Sequence, residues 1–323
     1  MRTRICELFG IEHPVVLGGM AGATGSDLAA AVSKAGGLGI LGCAGLAAGR
    51  IAAVAREMRD RTRKPWGMNL LLFRADEEAI AAVLGAEPPV FSTAWPWPEQ
   101  DLEPLFSRAR AAGSKVVHMA ATVAEARRAA RAGADAIVAQ GTEGGGHVGL
   151  MGTMAFVPQV VRAVAPVPVL AAGGIATGAG LAAALALGAE GALLGTRFLA
   201  TPEAPVSAAH KQAILDSDGH DTLLTEIPDI ANARVWPGAF SRVARNRLIE
   251  EWSGREGELR ARRDEVGARM RRAAETGDRA YAPLFLGQDA GLVDSIEPAG
   301  EIVRRVVAEA DEILRRLAAG GGA

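Results

Sequence analysis

One arrangement recurs eight times before about residue 215: a short, unbroken apolar run, then a loop, then a helical segment. The runs are PVVLGGM, LGIL, WGMNLLL, PVFST, KVVHMAA, DAIVAQ, VPVLAAGG and GALLGTRFLA, each about 20 to 30 residues from the next. Segments such as GSDLAAAVSKAGG, LAAGRIAAVAREMRD and TVAEARRAARAG separate them with helical periodicity. A strand with one wet face alternates apolar and polar residues, and these runs do not alternate. Strands covered on both faces read this way and are usually parallel, because crossover helices do the covering. Eight such units predict an α/β fold, a (β/α)8 TIM barrel. A doubly wound open sheet is the competing arrangement.

Local signals agree with that layout. Several helical segments end in glycine (SKAGG, RAAG, RAGAD, ALGAEG), the usual left-handed cap before the next strand. Thr122 followed by Glu125 predicts a capping box. Past residue 216 the rhythm breaks. Residues 1–216 are read as the barrel and 217–298 as a small, mostly helical appended domain covering its mouth. The helix at 299–318 is expected to return and pack on the barrel, with AAGGGA fraying after it. The Arg/Glu-rich stretch REGELRARRDEVGARMRRAAETGD reads as a solvated helix face.

Composition narrows the function classes. Apolar residues make up 49% and charged residues 22%, so a large core is within reach. A net charge of −2 gives no reason to expect nucleic acid. Two cysteines, Cys6 and Cys43, mark neither a disulfide scaffold nor a metal cluster. No run of about 18 strong apolar residues predicts a membrane span, and the N-terminus carries no secretory signal, so the cytoplasm is expected.

The glycines, 40 in all, cluster where a barrel does its chemistry, in the loops after the strands. GGMAGATG follows the first run, QGTEGGGHVG the sixth, AAGGIATG the seventh and LLGTRF the eighth. Glycine lets backbone N–H groups approach a ligand without a Cβ in the way. The seventh and eighth loops are the usual phosphate cradle of barrels, so Gly173, Gly174, Gly195 and Thr196 are expected to grip a phosphate. Gln140 ends the sixth run, Gly144 to Gly146 let the chain lie flat, and His147 follows. A planar ring with a phosphate tail, such as FMN, fits a site of that kind, beside a general acid or base.

These stretches, with HPVVLGGMAG, GMNLLL, HKQAILDSDGHDTLLTEI and GQDAGLVDSI, together resemble the nitronate monooxygenase family, formerly 2-nitropropane dioxygenases, over nearly the whole chain. The resemblance implies an FMN-binding barrel with a small helical domain. It implies that Met20 and Gly22 border the flavin, that Asn69 and Gln140 bond it, and that Gly145 and Gly146 lie along it. Gly173, Gly174, Gly195 and Thr196 would hold its phosphate, and Gln288 and Gly291 would fold over it. His147 matches the catalytic histidine. The EGGGH here departs from the common EAGGH at Gly144. Trp95, Trp97 and His118 are candidates for the substrate pocket, against the alternative that the tryptophans pack under a helix.

The expected reaction is FMN-dependent oxidation of alkyl nitronates, and of nitroalkanes, by O2 to carbonyl compounds and nitrite. His147 would be the general base, since an imidazole titrates near neutral pH. The alternative is an FMN-dependent enoyl-thioester reductase of the FabK type using NAD(P)H. A third reading is a flavin-binding module without turnover. The expected partners are a small molecule and O2, without nucleic acid, membrane or metal; a homodimer is left open.

Overall fold

The computed structural model describes residues 1–320. The end of the tail expected to fray, 321–323, lies outside the described residues.

Eight of the eleven strands among the described residues close into a ring. They are β1 (Val15–Leu17), β2 (Gly39–Gly42), β3 (Trp66–Leu71), β4 (Val90–Ala94), β5 (Lys115–Ala120), β6 (Ala136–Gln140), β8 (Val169–Ala172) and β9 (Ala192–Leu194). They pair in parallel in the order β1-β9-β8-β6-β5-β4-β3-β2. The last seam joins β1 to the start of β2: Leu17 N–H donates to the Leu38 carbonyl at 2.9 Å, and Leu38 N–H to that of Val15 at 3.0 Å. A doubly wound sheet would leave two open edges; this sheet leaves none. The fold is a (β/α)8 TIM barrel.

The unbroken apolar runs follow from this closure. Side chains alternate across a strand, so one set fills the barrel and the other meets the helices. Val16, Ile40, Val90, Val117, Val138 and Leu170 pack inside. Val15, Leu17, Leu41, Met68, Leu70, Val116 and Ile137 pack outward under the helical layer. A short helix, Arg4–Phe9, plugs the end opposite the mouth by adding Ile5, Cys6 and Phe9 to the inner cluster. Six residues are too few to show a helical period, so this helix leaves no mark in the sequence pattern. Helix ends behave as expected; Gly133, for example, sits at φ +93° after its helix.

The long helix Ala299–Ala318 packs against the helix Gly178–Ala186. Glycine is required at the crossing, where a Cβ on Gly178 would lie 2.3 Å from the Cβ of Glu309. The Glu309 carboxylate accepts the Gly178 N–H at 2.9 Å.

Residues beyond the barrel build their own core around Leu248, Ile249, Trp252, Leu259, Val266 and Met270. Helices dominate: Ile227–Ala231, Arg247–Trp252, Glu256–Ala261 and Arg263–Thr276. A small antiparallel sheet, which the sequence reading did not foresee, accompanies them. It joins β10 (Thr222–Thr225) and β11 (Phe240–Ala244) to β7 (Gly146–Val148), a strand formed by the glycine loop itself. Three to five residues, one of them glycine, give too short a pattern to separate strand from loop. This sheet ties the appended part to the barrel mouth. Cys6 and Cys43 are both buried and free, and the described residues contain no cluster able to hold a metal.

Candidate active site at the barrel mouth

The loop after β6 is pinned at several points before it reaches His147. Glu143 turns its carboxylate onto the first turn of the helix Thr153–Val164, accepting from Thr153 N–H at 2.9 Å and from its hydroxyl at 2.8 Å. The Gln288 N–H donates to the Glu143 carbonyl at 2.9 Å. Arg242, buried on β11, donates from Nε to the Thr142 carbonyl at 2.8 Å. Burial depresses the Arg242 pKa, and the charge of Glu143 opposes that shift. A loop rich in glycine is thereby held rigid.

β7 then places His147 directly opposite Ser241 on β11. The imidazole Nε2 lies 2.9 and 3.1 Å from the two carboxylate oxygens of Asp229 and 3.0 Å from Ser241 Oγ. The Ser241 hydroxyl donates to Asp229 at 2.7 Å. With a carboxylate and a hydroxyl oxygen around it, Nε2 carries the proton and donates. In the neutral imidazole Nδ1 is then the acceptor, an assignment made from the partners. Asp229 sits in the short helix Ile227–Ala231, and all three groups are largely removed from water.

An aromatic cluster covers the imidazole. Trp236 stacks on it with ring centres 3.4 Å apart and planes 13° from parallel. Trp236 in turn touches Phe73 at 4.5 Å and meets Trp95 edge-on at 6.0 Å. Trp95 is buried here with φ +55°, a conformation tryptophan adopts only where the surroundings impose it. It therefore packs against the covering segment above the mouth, not beneath a helix. Trp97 stays at the rim, 36% exposed, edge-on to Phe73.

His118 is a correction. It lies on the outer face of β5, fully buried between strand and helices. Its Nδ1 pairs with Thr93 Oγ1 at 2.8 Å, its Nε2 with Glu125 at 3.3 Å, and its ring packs near Phe106. It is a satisfied core histidine and no part of a substrate pocket. The capping box is corrected with it. Thr122 accepts from Glu125 N–H at 3.1 Å, but the Glu125 carboxylate returns to Ala121 N–H and to His118 instead of Thr122.

Most of the remaining candidates gather at the same end of the barrel, after β1 (Met20, Gly22), on β3 (Asn69), on and after β6 (Gln140, Gly145, Gly146), and after β8 and β9 (Gly173, Gly174, Gly195, Thr196). Their surroundings differ. Gln140 Oε1 is buried without a hydrogen-bond partner. Gly22 and Gly146 have open space where a Cβ would stand. Asn69 is held between the Gly19 carbonyl at 3.0 Å and Ser92 at 2.9 Å. A Cβ on Gly145 would come within 2.5 Å of the Leu286 backbone, so that glycine serves a chain crossing. Gly291 serves another, against the Asp218 carbonyl. Gln288 is exposed and ties in through its backbone. The Thr196 hydroxyl accepts from Gly287 N–H at 2.9 Å and bonds to Asp289. Burial pushes the Asp289 carboxyl up to about 7, against the lowering effect of hydrogen bonds from its own backbone and Thr196.

Asp229, Ser241 and Trp236 were missed by sequence reasoning. The one available signal was a lone Asp amid apolar residues in TEIPDIA.

Comparison with known proteins gives a consistent set. The sequence profile described as nitronate monooxygenase matches residues 2–84 and 74–309. The chain is 39% identical over 256 residues to a Mycobacterium tuberculosis protein, (3aS,4S,5R,7aS)-5-hydroxy-7a-methyl-1-oxo-octahydro-1H-indene-4-carboxyl-CoA dehydrogenase, covering 78% of this chain and 68% of that one. FabK from Thermotoga maritima superposes with a TM-score of 0.89 at 36% identity, over 99% of both chains. A nitroalkane oxidase from Streptomyces ansochromogenes superposes at 0.84 and 30% identity, over 97% of this chain and 99% of that one.

Proposed function

Because the chain belongs to the nitronate monooxygenase family of oxidoreductases, we propose that it is an FMN-dependent enzyme oxidising nitroalkanes and their nitronates with O2, with His147 as general base. The observation that carries this reading is the pairing of His147 Nε2 with Asp229 and Ser241, which leaves Nδ1 as the basic nitrogen.

The residues at the mouth fit the cofactor. Gln140 has an unpaired buried acceptor, and Gly22 and Gly146, in loops at the same end of the barrel, have open space where a Cβ would stand. Gln140, Met20, Gly22, Asn69 and Gly146 would hold the ring and ribityl chain, and the backbone of Gly173, Gly174 and Gly195 the phosphate. The Thr196 hydroxyl is already engaged by Gly287 and Asp289, so its share in the phosphate grip requires it to exchange partners. When bound, FMN supplies electron acceptance and the encounter with O2.

The chain's own part is proton transfer. A neutral nitroalkane must lose its α-proton first; Nδ1 of His147 accepts it, and the electron pair of the broken C–H bond moves into the nitro group. Asp229 then faces an imidazolium and stabilises it, while Ser241 keeps the carboxylate oriented. Trp236 covers one face of the imidazole and is itself backed by Trp95. A nitronate arrives already deprotonated and bypasses this step. His147→Asn is therefore expected to lose turnover of 2-nitropropane and to retain much of the turnover of its nitronate, read as oxygen uptake and nitrite release. Equal loss on both substrates would remove the base role.

A second reading, a flavin oxidoreductase of enoyl or acyl thioesters using NAD(P)H, rests on a different observation: the identities to the CoA-thioester dehydrogenase and to FabK, 39% and 36%, exceed the 30% to the nitroalkane oxidase. Anaerobic bleaching of the bound flavin by NADPH and recovery of colour with an enoyl thioester would establish it. Oxygen uptake with a nitronate and no nicotinamide would establish the first.

A further inference from the structure

Trp236 meets the imidazole face to face. The ring centres are 3.4 Å apart and the planes 13° from parallel, so the indole presents its π surface to His147. Ring contacts alone place it. Its Nε1 is buried without a hydrogen-bond partner among the described residues, Phe73 backs it at 4.5 Å, and Trp95 meets it edge-on at 6.0 Å. Two non-glycine residues around it hold left-handed backbone, Trp95 at φ +55° and Ala233 at φ +52°. An unmet buried N–H and strained backbone persist only where the surroundings over-determine them. What they maintain here is the stack on His147.

Few charges face this imidazole among the described residues. From the helix Ile227–Ala231 comes Asp229, in contact with Nε2. From β11 comes the Ser241 hydroxyl; the next residue, Arg242, turns to the other face of the sheet, toward Thr142 and Thr222. On β7 itself Gly146 and Val148 carry no charge, and Glu143 in the loop before them is taken up by Thr153. Arg234, on the segment that carries Trp236, feels the charge of Asp229 and competes for it. Phe285 lies at 5.9 Å, tilted by 35°, and its carbonyl is bonded by His210 at 2.9 Å. One carboxylate is therefore the only counter-charge in contact. An apolar wall on the ring face would oppose a charged imidazole. An aromatic face does the reverse, because its quadrupole turns a negative surface toward a cation, most strongly for tryptophan.

We infer that Trp236 is a positioning residue for proton transfer, its indole face stabilising the imidazolium that His147 becomes on accepting the substrate's α-proton. The inference rests on the reading of His147 as the base. The proton goes to Nδ1, the electron pair of the broken C–H bond goes into the nitro group, and the positive charge spreads over the ring beneath the indole. Asp229 meets that charge at the ring edge and Trp236 meets it at the face. A mere cover would act with the opposite sign. Removing a cover lets water reach the ring and makes protonation easier; removing a π partner makes it harder.

The test is a pH titration of the histidine ring signals by NMR in the purified protein, the His147 signal being the one that His147→Asn removes. Trp236→Leu and Trp236→Phe are compared with Trp97→Leu, a rim tryptophan that touches Phe73 and not the imidazole. Proton binding by His147 is expected to weaken about 10-fold in Trp236→Leu and about 3-fold in Trp236→Phe, which keeps a weaker π face, and to stay unchanged in Trp97→Leu. The acid limb of the kcat/KM profile for 2-nitropropane should move to lower pH by the same factors. Proton binding that is unchanged or tighter in Trp236→Leu overturns the inference, since the indole would then be a cover only. So does an equal shift in Trp97→Leu. Should Trp236→Leu fail to fold, Trp236→Phe decides alone: weaker proton binding supports the stack, and no change overturns it. Failure here leaves the base role of His147 standing. That role is lost only if His147→Asn loses nitroalkane and nitronate turnover equally, which oxygen uptake reads independently of the titration.

Discussion

Two acids stand near the mouth, and they are held in different ways. Asp229, on the β7 side, meets a histidine and a serine, so its charge has partners. Asp289, on the β9 side, is fully buried, and of side chains only the Thr196 hydroxyl is bonded to it; burial lifts it to about 7. A carboxylate with a proton donor on each oxygen is held in place to orient an imidazole. One with a single hydroxyl beside it gains most from taking up a proton. The first arrangement suits proton transfer. The second places a proton-dependent charge where a phosphate is proposed to bind.

The widest separation between the two sides should appear when each acid is made neutral. Asp229→Asn keeps the shape but presents an amide to Nε2, so the imidazole loses its enforced tautomer. Turnover of a neutral nitroalkane is expected to fall on the order of 10^3-fold, with the nitronate much less affected, in steady-state oxygen uptake. A loss of similar size on both substrates would mean that Asp229 only supports the fold.

Asp289→Asn should act in the opposite sense and on stability. The folded pKa, about 7, lies above the ordinary aspartate value of 3.8. The folded state thus holds a proton that the unfolded chain gives up, and stability falls as pH rises from about 4 to about 7, then levels. The asparagine variant lacks this loss, so above pH 7 it should be more stable than the wild type by up to about 4 kcal/mol. Urea denaturation at pH 5 and pH 8 reads it: the wild type should lose midpoint between the two, and the variant should not. Parallel curves would show that Asp289 is ionised throughout.

A smaller effect is expected from the crossing that joins the two sides. Gly145→Ala would push a methyl group against the backbone of Leu286 and Gly287, costing about 2 kcal/mol and loosening the retained cofactor, seen as free flavin after gel filtration. Smallest is Ser241→Ala. It removes one of the bonds to Asp229 while leaving the His147 contact, and should lower nitroalkane turnover about 10-fold. If Ser241→Ala proved as damaging as Asp229→Asn, the serine would be more than an orienting group.

Much of the barrel was legible in the chain itself. The continuous apolar runs required strands covered on both faces, and glycines after the first, sixth, seventh and eighth runs pointed to one end. His147 stood out because three consecutive glycines lead directly into it. What misled were side chains whose direction depends on register. His118 sits in the middle of an apolar run, and a shift of one residue would have turned it inward; pairing of β5 with β4 and β6 turned it toward Thr93 and Glu125. Gly145 and Gly291 were read as cofactor glycines, but each permits two stretches of backbone to cross, and crossings between distant segments leave no local pattern.

The sequence alone determined the eightfold alternation, because apolar periodicity is a local property written over a few residues, whereas closure over the open doubly wound sheet was decided by the seam between β1 and β2. It also determined which end carries the glycine-rich loops. Only the tertiary structure decided that His147 would have Asp229 and Ser241 as partners, since they stand 82 and 94 residues away along the chain. A hydrogen bond acts over about 3 Å and is indifferent to sequence separation. Only the three-stranded sheet that β7 makes with β10 and β11 brings those atoms within that distance.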